Sequence, residues 1–563
     1  MTNRIQALPR RSWRSRVAEA QPLQAALRTP GGTQTLNDLQ AVGLLELYQQ
    51  RLGGLVCFGR VGIGKTHLLA LAPVVLSWRG FTRPMFMVPG SLRTKTESDV
   101  SALRKHWHVA PQYWLKSYTE IGLEKNADML FELQPDILVC DEPDPFRSVL
   151  KPTASACAKR TWRYIKYRRS NNLPLALIFL GATPERATCL DFLPMVLAAL
   201  GEDAPCPTDD LETIAWSAFL DGTDSDADDS TFRKYFGPVR DQEHALDLFY
   251  DRVQQTPGII VSDDAFEDVP LSIHVHHVDP GMTAEFQMLR ETWTRPDGWD
   301  LVDAAADDAA PDDVNTWSIW GVARQMALGF FYRPDPPPPK EWAAARSAWC
   351  KYVRQLIEAP GSRFDTEKQV RSACERSART IPEHARWVEL KDTFKPNPTP
   401  VWLSRHALDA AAAWGRQAPG VIWVDHKAFG HRLAQETGWR YYGQKGLDSA
   451  GRSIEAEDGA RTVIASRLAN QKGRNLQFAF NRNLIMAMPN AACDIEQLIG
   501  RTHRQHQTKP VHVDVYASCS EHARSLDRVM QGASKQSRWM RQKWLSIDVV
   551  HHGDPPVESW AWR

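Results

Sequence analysis

The segment GRVGIGKT at 59–66 combines the residue types that hold the phosphates of a nucleotide. It follows an apolar run, GLVCF, and precedes HLLALAPVVLSW, whose apolar spacing is typical of a helix. Glycine accepts backbone angles that other residues avoid, so successive N–H groups can face phosphate oxygens. Lys65 would then reach the outer phosphates and the Thr66 hydroxyl would bind Mg²⁺. We therefore predict an ATP and Mg²⁺ site whose remaining loop residues are Gly59, Gly62 and Gly64.

The segment DILVCDEPD at 136–144 supplies the carboxylates that such a site requires. Its apolar residues predict a buried strand, and Asp141 and Glu142 follow them directly. Asp141 would hold the Mg²⁺, while Glu142 would polarise the attacking water. Together with the phosphate loop, this pair predicts nucleotide hydrolysis. Cys57 and Cys140 lie inside the two apolar runs and are expected in the core.

A third candidate group lies far downstream, in DIEQLIGRTHRQHQ at 494–507. Gln497, Arg501 and Arg504 are spaced by four and three residues, so on a helix they would share one face. Guanidinium groups directed at a phosphate are the chemistry of an arginine finger. Because they lie more than 400 residues from the loop, we expect a second domain to supply them.

Two stretches of alternating apolar runs and helical pattern would position these groups. Runs such as MFMVPG and LALIFLGATP in the first stretch, and VIWVDH and VHVDVYA in the second, have the composition of buried parallel strands. We therefore predict an α/β fold: two RecA-like parallel-sheet domains with a helical, acidic insertion between them. The expected boundaries are a basic arm at 1–32, domain 1 at 33–235, the start of the second half with the insertion at 236–415, domain 2 at 416–530, and a tail at 531–563.

The order GKT, DExx, GATP and QxxGRxxR resembles the motor motifs of superfamily-two helicases and translocases. The finer similarity is to the Swi/Snf-like branch, and we expect this chain to be a bacterial or phage member of it. It is carried by LNDLQAVGLLEL at 36–47, QKGRNLQ at 471–477 and the strand and helix pattern at 271–293. The resemblance implies that ATP binds between two RecA-like domains and drives translocation along nucleic acid. It also implies that Gln40 reads the adenine and that Thr183 and Asn475 couple hydrolysis to movement.

The same resemblance implies two nucleic-acid contacts. PGSLRTKTESD at 89–99 corresponds to a contact with the phosphate backbone, and LKSYTEIG at 115–122 to the next one. The candidate residues are Ser91, Arg93, Thr94, Lys95, Ser117 and Thr119. The basic, aromatic segment RTWRYIKYRR at 160–169 fits either a strand-binding surface or a helix with a solvated face.

The net charge of +1 conceals two acidic segments, 202–230 with ten acidic residues and 297–313 with seven, neither containing Lys or Arg. The rest of the chain is basic, which suits a polyanion-binding protein. We expect nucleic acid as the partner, DNA in preference to RNA, with the acidic segments as a surface for a protein partner or as solvated loops. We also expect a cytoplasmic monomer without a membrane segment. Two alternatives remain, a ring-forming loader ATPase of the AAA type and a nucleotide-binding scaffold without turnover.

Overall fold

The computed structural model describes residues 4–59, 62–151, 154–182, 188–222, 229–262, 269–292, 294–298, 319–359, 362–377, 379–486, 489–538 and 549–554. Thr183, one of the predicted coupling residues, lies outside the described residues. The chain divides into two compact units. The first comprises Met1–Ala265 with Gly532–Gln542, and the second comprises Phe266–Gln531 with Lys543–Arg563.

The first unit is built on a parallel six-stranded sheet of order β3-β2-β4-β5-β1-β6. Its strands are β1 Leu55–Phe58, β2 Pro84–Val88, β3 Trp114–Ser117, β4 Ile137–Asp141, β5 Ala176–Gly181 and β6 Ile259–Val261. Its helices are α1 Arg4–Ala7, α2 Val17–Leu27, α3 Asp38–Gln49, α4 Lys65–Ser77, α5 Arg93–Leu103, α6 Tyr118–Gly122, α7 Met129–Leu133, α8 Ala156–Ser170, α9 Leu193–Leu200, α10 Asp210–Asp221, α11 Ser230–Phe236 and α12 Gln242–Gln254.

Both faces of this sheet are covered. Successive residues of β1 alternate between two hydrophobic clusters, with Val56 and Phe58 in one and Leu55 and Cys57 in the other. Residues on both faces must therefore be apolar, which explains the uninterrupted apolar runs of the sequence. The prediction that Cys57 and Cys140 belong to the core is confirmed, because each is at most 1% exposed.

The second unit has a parallel seven-stranded sheet of order β11-β12-β10-β13-β14-β7-β15 and a separate antiparallel pair, β8 and β9. Its strands are β7 Leu271–His277, β8 Phe330–Pro334, β9 Pro398–Trp402, β10 Val421–Val424, β11 Arg440–Tyr442, β12 Val463–Ser466, β13 Arg482–Ile485, β14 Val511–Ala517 and β15 Val549–His552. Its helices are α13 Thr283–Thr292, α14 Ile319–Met326, α15 Lys340–Glu358, α16 Glu367–Arg376, α17 Pro382–Leu390, α18 His406–Gln417, α19 Lys427–Thr437, α20 Arg467–Asn470, α21 Ala492–Thr502 and α22 Ser520–Ser537.

The predicted fold class is confirmed: the chain is an α/β protein with two parallel sheets, each accompanied by helices. A helical insertion, α15–α17, lies between the strands of the β8–β9 pair. None of the helices in the described part of the chain is long and apolar enough to cross a lipid bilayer.

The acidic segment 202–230 is largely built into the first unit where it is described. Asp209 caps α10 by accepting a hydrogen bond from the Glu212 N–H at 3.0 Å. Asp210 forms an ion pair with Lys166 at 2.8 Å, and Asp221 forms one with Lys535. These carboxylates therefore stabilise the fold as caps and ion pairs. Residues 223–228 and most of 297–313 lie outside the described residues.

Candidate functional site

The described residues of the loop after β1, Gly59 and 62–64, have backbone features that suit a phosphate site. The Gly59 N–H donates to the Gly181 carbonyl at 2.9 Å, which fixes the start of the loop beside the end of β5. Gly62 and Gly64 have φ angles of +93° and +82°, in the left-handed region that favours glycine. Helix α4 then begins at Lys65. The loop thus turns sharply at its glycines and leads into a helix N-terminus, where backbone N–H groups and the helix dipole favour an anion.

Lys65 and Glu142 lie side by side at the carboxyl edge of the first sheet. The Lys65 Nζ donates to the Gly59 carbonyl at 2.8 Å and lies 3.8 Å from the Glu142 Oε1. Their side chains are only 10% and 15% exposed. Behind them, burial raises the pKa of Cys57 to about 12, although the Lys65 charge opposes the shift. The structure therefore brings together the predicted phosphate-binding lysine and the predicted water-activating carboxylate.

Asp141 and Thr66 occupy the positions from which Mg²⁺ would be held. Asp141 ends β4, and its carbonyl accepts a hydrogen bond from the Tyr118 hydroxyl at 2.8 Å. Glu142 follows with a φ of +48°, and its N–H donates to the Leu180 carbonyl at 2.8 Å. This turn anchors the carboxylates at the end of the strand. Thr66 lies in the first turn of α4, at the same edge of the sheet as Asp141. A hydroxyl and a carboxylate are both oxygen ligands, which is the ligand type that Mg²⁺ prefers.

Gln40 binds the phosphate loop in this structure. Its Oε1 accepts a hydrogen bond from the Asn37 N–H at 3.0 Å, as part of a capping box at the start of α3. Its Nε2 donates to the carbonyls of Ile63 and Gly64 at 3.1 and 2.9 Å. The side chain is 4% exposed. One end of the amide therefore caps α3 and the other holds the loop. These structural contacts differ from the predicted role in adenine recognition.

The two predicted nucleic-acid loops lie next to each other. Ser91 lies in the short 3-10 helix Gly90–Leu92 after β2, and α5 begins at Arg93, so Thr94 and Lys95 are in its first turn. Ser117 ends β3 and is paired with Val88 of β2. A direct link joins the loops, because Arg93 donates to Glu120 at 3.2 Å.

Ser117 also has a structural role, since its hydroxyl accepts the Glu120 N–H at 3.0 Å and caps α6. Thr119 follows in α6, with its Oγ1 3.9 Å from the position a Cβ would take on Gly90. Glu120 was not anticipated from the sequence. Burial opposes the change, but a hydrogen bond from Lys116 and the charges of Lys116 and Arg93 lower its pKa. A carboxylate therefore sits between the candidate Arg93 and a second cation, Lys116.

The second unit gathers the downstream candidates around one loop. The Arg501 Nε donates to the Gln497 carbonyl at 3.0 Å, and its Nη1 donates to the Arg474 carbonyl at 3.2 Å. Arg504 donates to the Asn475 Oδ1 at 2.8 Å. Gln497, Arg501, Arg504 and Asn475 therefore form one connected group, in which Arg501 is buried.

The prediction that these three side chains share a helix face is correct for Gln497 and Arg501 and wrong for Arg504. Helix α21 ends at Thr502, so Arg504 lies in the following turn. Burial lowers the pKa of Arg504, and the nearby Glu455 opposes this change. Glu455 was also missed, because it comes from a separate loop, where it accepts the Asn475 N–H at 2.9 Å.

The basic segment 160–169 forms α8, and several of its cations are engaged within the first unit. Arg160 donates to the carbonyls of Ile121 and Leu123 at 2.9 and 2.7 Å. Arg169 donates to the Ala198 carbonyl at 3.1 Å. These contacts favour the structural alternative for this helix.

Comparisons with protein families and with curated proteins find no match, whereas the comparison with solved structures does. Among solved structures, the chain is similar to the Sulfolobus solfataricus SWI2/SNF2 ATPase core in complex with dsDNA, at 14% sequence identity and a TM-score of 0.31. The similarity covers 91% of this chain and 98% of that chain. The functional assignment therefore depends on the residues and contacts described above.

Proposed function

We propose that this protein is an ATPase that translocates along nucleic acid, with DNA as the favoured substrate. The observation that carries the proposal is the pairing of Lys65 with Glu142, 3.8 Å apart beside a glycine-rich loop that leads into a helix N-terminus. A phosphate loop alone could serve binding. A carboxylate held next to its lysine adds a group that can accept a proton from water, which hydrolysis requires.

The chain's own residues can carry out most of this chemistry. Loop N–H groups and Lys65 would bind the β- and γ-phosphates, with Lys65 exchanging the Gly59 carbonyl for a phosphate oxygen. Thr66 and Asp141 would hold Mg²⁺, which neutralises charge on the phosphates when bound. Glu142 would orient the attacking water and take its proton. Arg501 and Arg504 are the proposed arginine fingers, and the loops at Ser91–Lys95 and Ser117–Thr119 are the proposed backbone contacts.

Phosphate release, measured with and without single- and double-stranded DNA and RNA, tests the proposal. We expect turnover in the wild type that rises with nucleic acid. Lys65→Ala and Glu142→Gln should each lower turnover at least ~100-fold, since Lys65 binds the reacting phosphate and Glu142 activates the attacking water. Lys351→Ala, which removes an exposed lysine of α15, is the matched control.

Two results would contradict the proposal in different ways. ATP binding without turnover in the wild type would indicate the scaffold alternative. Turnover that nucleic acid does not change would contradict translocation, and an obligate ring in solution would then favour the loader alternative. Glu142→Gln should still bind ATP, because it keeps the lysine and the loop.

A further inference from the structure

The helical insertion of the second unit carries a groove that the proposed ATP site does not use. The groove encloses about 550 Å³, within the ~300–1,000 Å³ of typical ligand sites. Two kinds of side chain dominate its lining. The aromatic ones are Trp342, Trp387 and Phe394, and the cationic ones are Arg346, Lys391 and Lys395. We call this the insertion groove.

The aromatic side chains of the insertion groove form a box. The rings of Trp387 and Phe394 lie 5.4 and 5.2 Å from that of Trp342, at interplanar angles of 64° and 70°. Trp342 is buried and anchors the box, while Trp387 and Phe394 are half-buried and line the opening. Ring surface of this kind binds either a cation or another flat aromatic ring.

The charges around the box decide between these two ligands. Arg346, Lys391 and Lys395 line the groove against a single carboxylate, Asp392. The Arg346 guanidinium already lies 5.5 Å from the centre of the Trp342 ring. A cationic ligand would be repelled, whereas a flat ring attached to an anion would satisfy both features. A nucleobase linked to a phosphate has this chemistry.

A neighbouring groove indicates a strand in preference to a free nucleotide. Pro398 lines the insertion groove and also a second groove of about 1420 Å³, which follows the β8–β9 pair to the carboxyl edge of the sheet. The second groove also combines rings and cations, since Trp402, Tyr441, Lys427 and Arg432 line it together with the carboxylates Asp425 and Glu436. Glu436 pairs with Arg432 at 3.0 Å, which leaves Lys427 as the cation that faces the groove without that partner. Two adjoining grooves that each offer rings and cations suit a polymer that presents a base and a phosphate at each step.

We propose that the insertion groove binds an unpaired nucleic-acid strand, with a base against Trp387 and Phe394 and backbone phosphates against Lys391 and Lys395. Duplex bases are already stacked on each other, so their faces are not available to these rings. This inference rests on the proposed function in that nucleic acid is the common substrate. It adds that the chain grips a single strand at a site other than the predicted backbone loops of the first unit.

The test is nucleotide-free binding of the full chain to a labelled oligothymidylate of about 16 nucleotides, followed by fluorescence anisotropy. Trp387→Ala and Phe394→Ala should each weaken binding about 5- to 150-fold, the range for loss of one stacked base. Lys391→Ala with Lys395→Ala should reduce the salt dependence, by about 1.4 in the slope of log K against log salt if two phosphates are released. Phe364→Ala and Lys351→Ala in the same insertion are the matched controls and should change neither quantity.

Competition experiments distinguish a single strand from other ligands of the groove, and ATP turnover provides a second measurement. The matching duplex and AMP should both compete at least ~10-fold less well than the unlabelled strand. Equal competition by AMP would overturn the strand assignment in favour of a free nucleotide, and stronger competition by polyglutamate would indicate an acidic protein partner. Binding unchanged in folded Trp387→Ala and Phe394→Ala proteins would also overturn it. Lys65→Ala should abolish turnover and leave strand binding intact, so failure of the ATPase proposal and failure of this one give different results.

Discussion

Gly64 shows how single residues set the geometry of the candidate site. Its φ of +82° lies where residues with a side chain are strained, and a Cβ added there would come 2.4 Å from the Gln40 Nε2. Two separate features therefore require glycine at this position: the positive φ of its backbone and the close approach of the Gln40 side chain. Only the first is visible in the sequence, as part of the GxxxxGK[ST] pattern.

Gly64→Ala is expected to lower the free energy of unfolding by about 1–2 kcal/mol through backbone strain and to weaken ATP binding at least ~10-fold by displacing Gln40. Gly80→Ala is the matched control, because Gly80 has a φ of +88° and nothing within 4 Å of an added Cβ. It should cost similar stability and leave ATP affinity unchanged. Urea unfolding and titration with a fluorescent ATP analogue measure the two effects. Equal affinities for both variants would show that the contact with Gln40 is unimportant.

The hydrogen bonds of Gln40 lead to a testable difference between two nucleotides. Because its Nε2 donates to the Ile63 and Gly64 carbonyls, Gln40→Ala should loosen the loop and weaken ATP and GTP binding by similar factors. If Gln40 instead reads the adenine, as the family resemblance implies, only ATP binding should weaken. Parallel titrations with ATP and GTP separate these outcomes. A loss confined to ATP would contradict the role as a loop brace.

The parts of the candidate site that are formed by residues close together in the sequence could be predicted. Lys65 follows from its own loop, and Asp141 and Glu142 follow from the strand before them. Glu120 and Glu455 could not be predicted, because each acts through a contact between separate loops. A charged residue in a loop has the same local pattern whether it pairs with a distant residue or faces water.

Helix α21 ends earlier than its sequence pattern indicates. Neither glycine nor proline follows Arg501 within the motif, so the helical spacing could reasonably be extended to Arg504. The helix nevertheless ends at Thr502, and the chain turns through His506, whose φ is +73°. Arg501 remains in the helix and connects it to the loop before β13. The two arginines therefore sit in different environments despite their regular spacing.

Arg501→Ala should lower both turnover and stability, because the side chain is buried and donates to the Gln497 and Arg474 carbonyls. Losing these bonds should reduce the free energy of unfolding by about 2 kcal/mol. Arg501→Lys should not restore the stability, since an ammonium lacks the planar guanidinium that reaches both the Gln497 and the Arg474 carbonyls. Arg416→Ala, at an exposed position in α18, is the control and should stay within ~0.5 kcal/mol. Full rescue by lysine in urea unfolding would contradict this account.

Across the whole chain, the strands that are apolar on both faces could be predicted from the sequence, and those at the sheet edges could not. The edge strand β15 is short and mostly exposed, with the sequence VVHH, and β11 has only three residues. β15 pairs with β7, almost 280 positions earlier, partly through the stacked side chains of His277 and His551. The sequence LSIHVHH of β7 alternates and indicates a strand, whereas VVHH of β15 does not. Their pairing could not be predicted, because it depends on a contact between segments far apart in the sequence.

Two buried histidines of the second unit should make the whole protein sensitive to mild acid. Burial lowers the pKa of His426 to about 4 and that of His522 to about 3, and the charge of Arg324 adds to both shifts. Asp425 opposes them, but Arg467 already engages that carboxylate at 2.5 and 3.1 Å. Both histidines are therefore neutral in the folded chain at neutral pH.

The sign of the effect follows from these lowered values. On unfolding, each histidine regains a pKa near 6.5, so below that pH the unfolded chain binds more protons than the folded one. The stabilisation is complete above pH 6.5 and declines as the pH falls towards the folded values. Each histidine contributes up to about 1.4 kcal/mol per pH unit, so the free energy of unfolding should drop by about 2 kcal/mol between pH 6.5 and 5.5.

Urea unfolding of the full chain at pH 7.5, 6.5 and 5.5 measures this dependence. His522→Gln should reduce the decline by roughly half, because one of the two buried titrating groups is removed. His108→Gln, at an exposed position, is the matched control and should leave the decline unchanged. The same stability at all three pH values would mean that these histidines reach solvent, or gain a partner, when they are protonated. A decline that persists in full in His522→Gln would place the acid sensitivity on other groups.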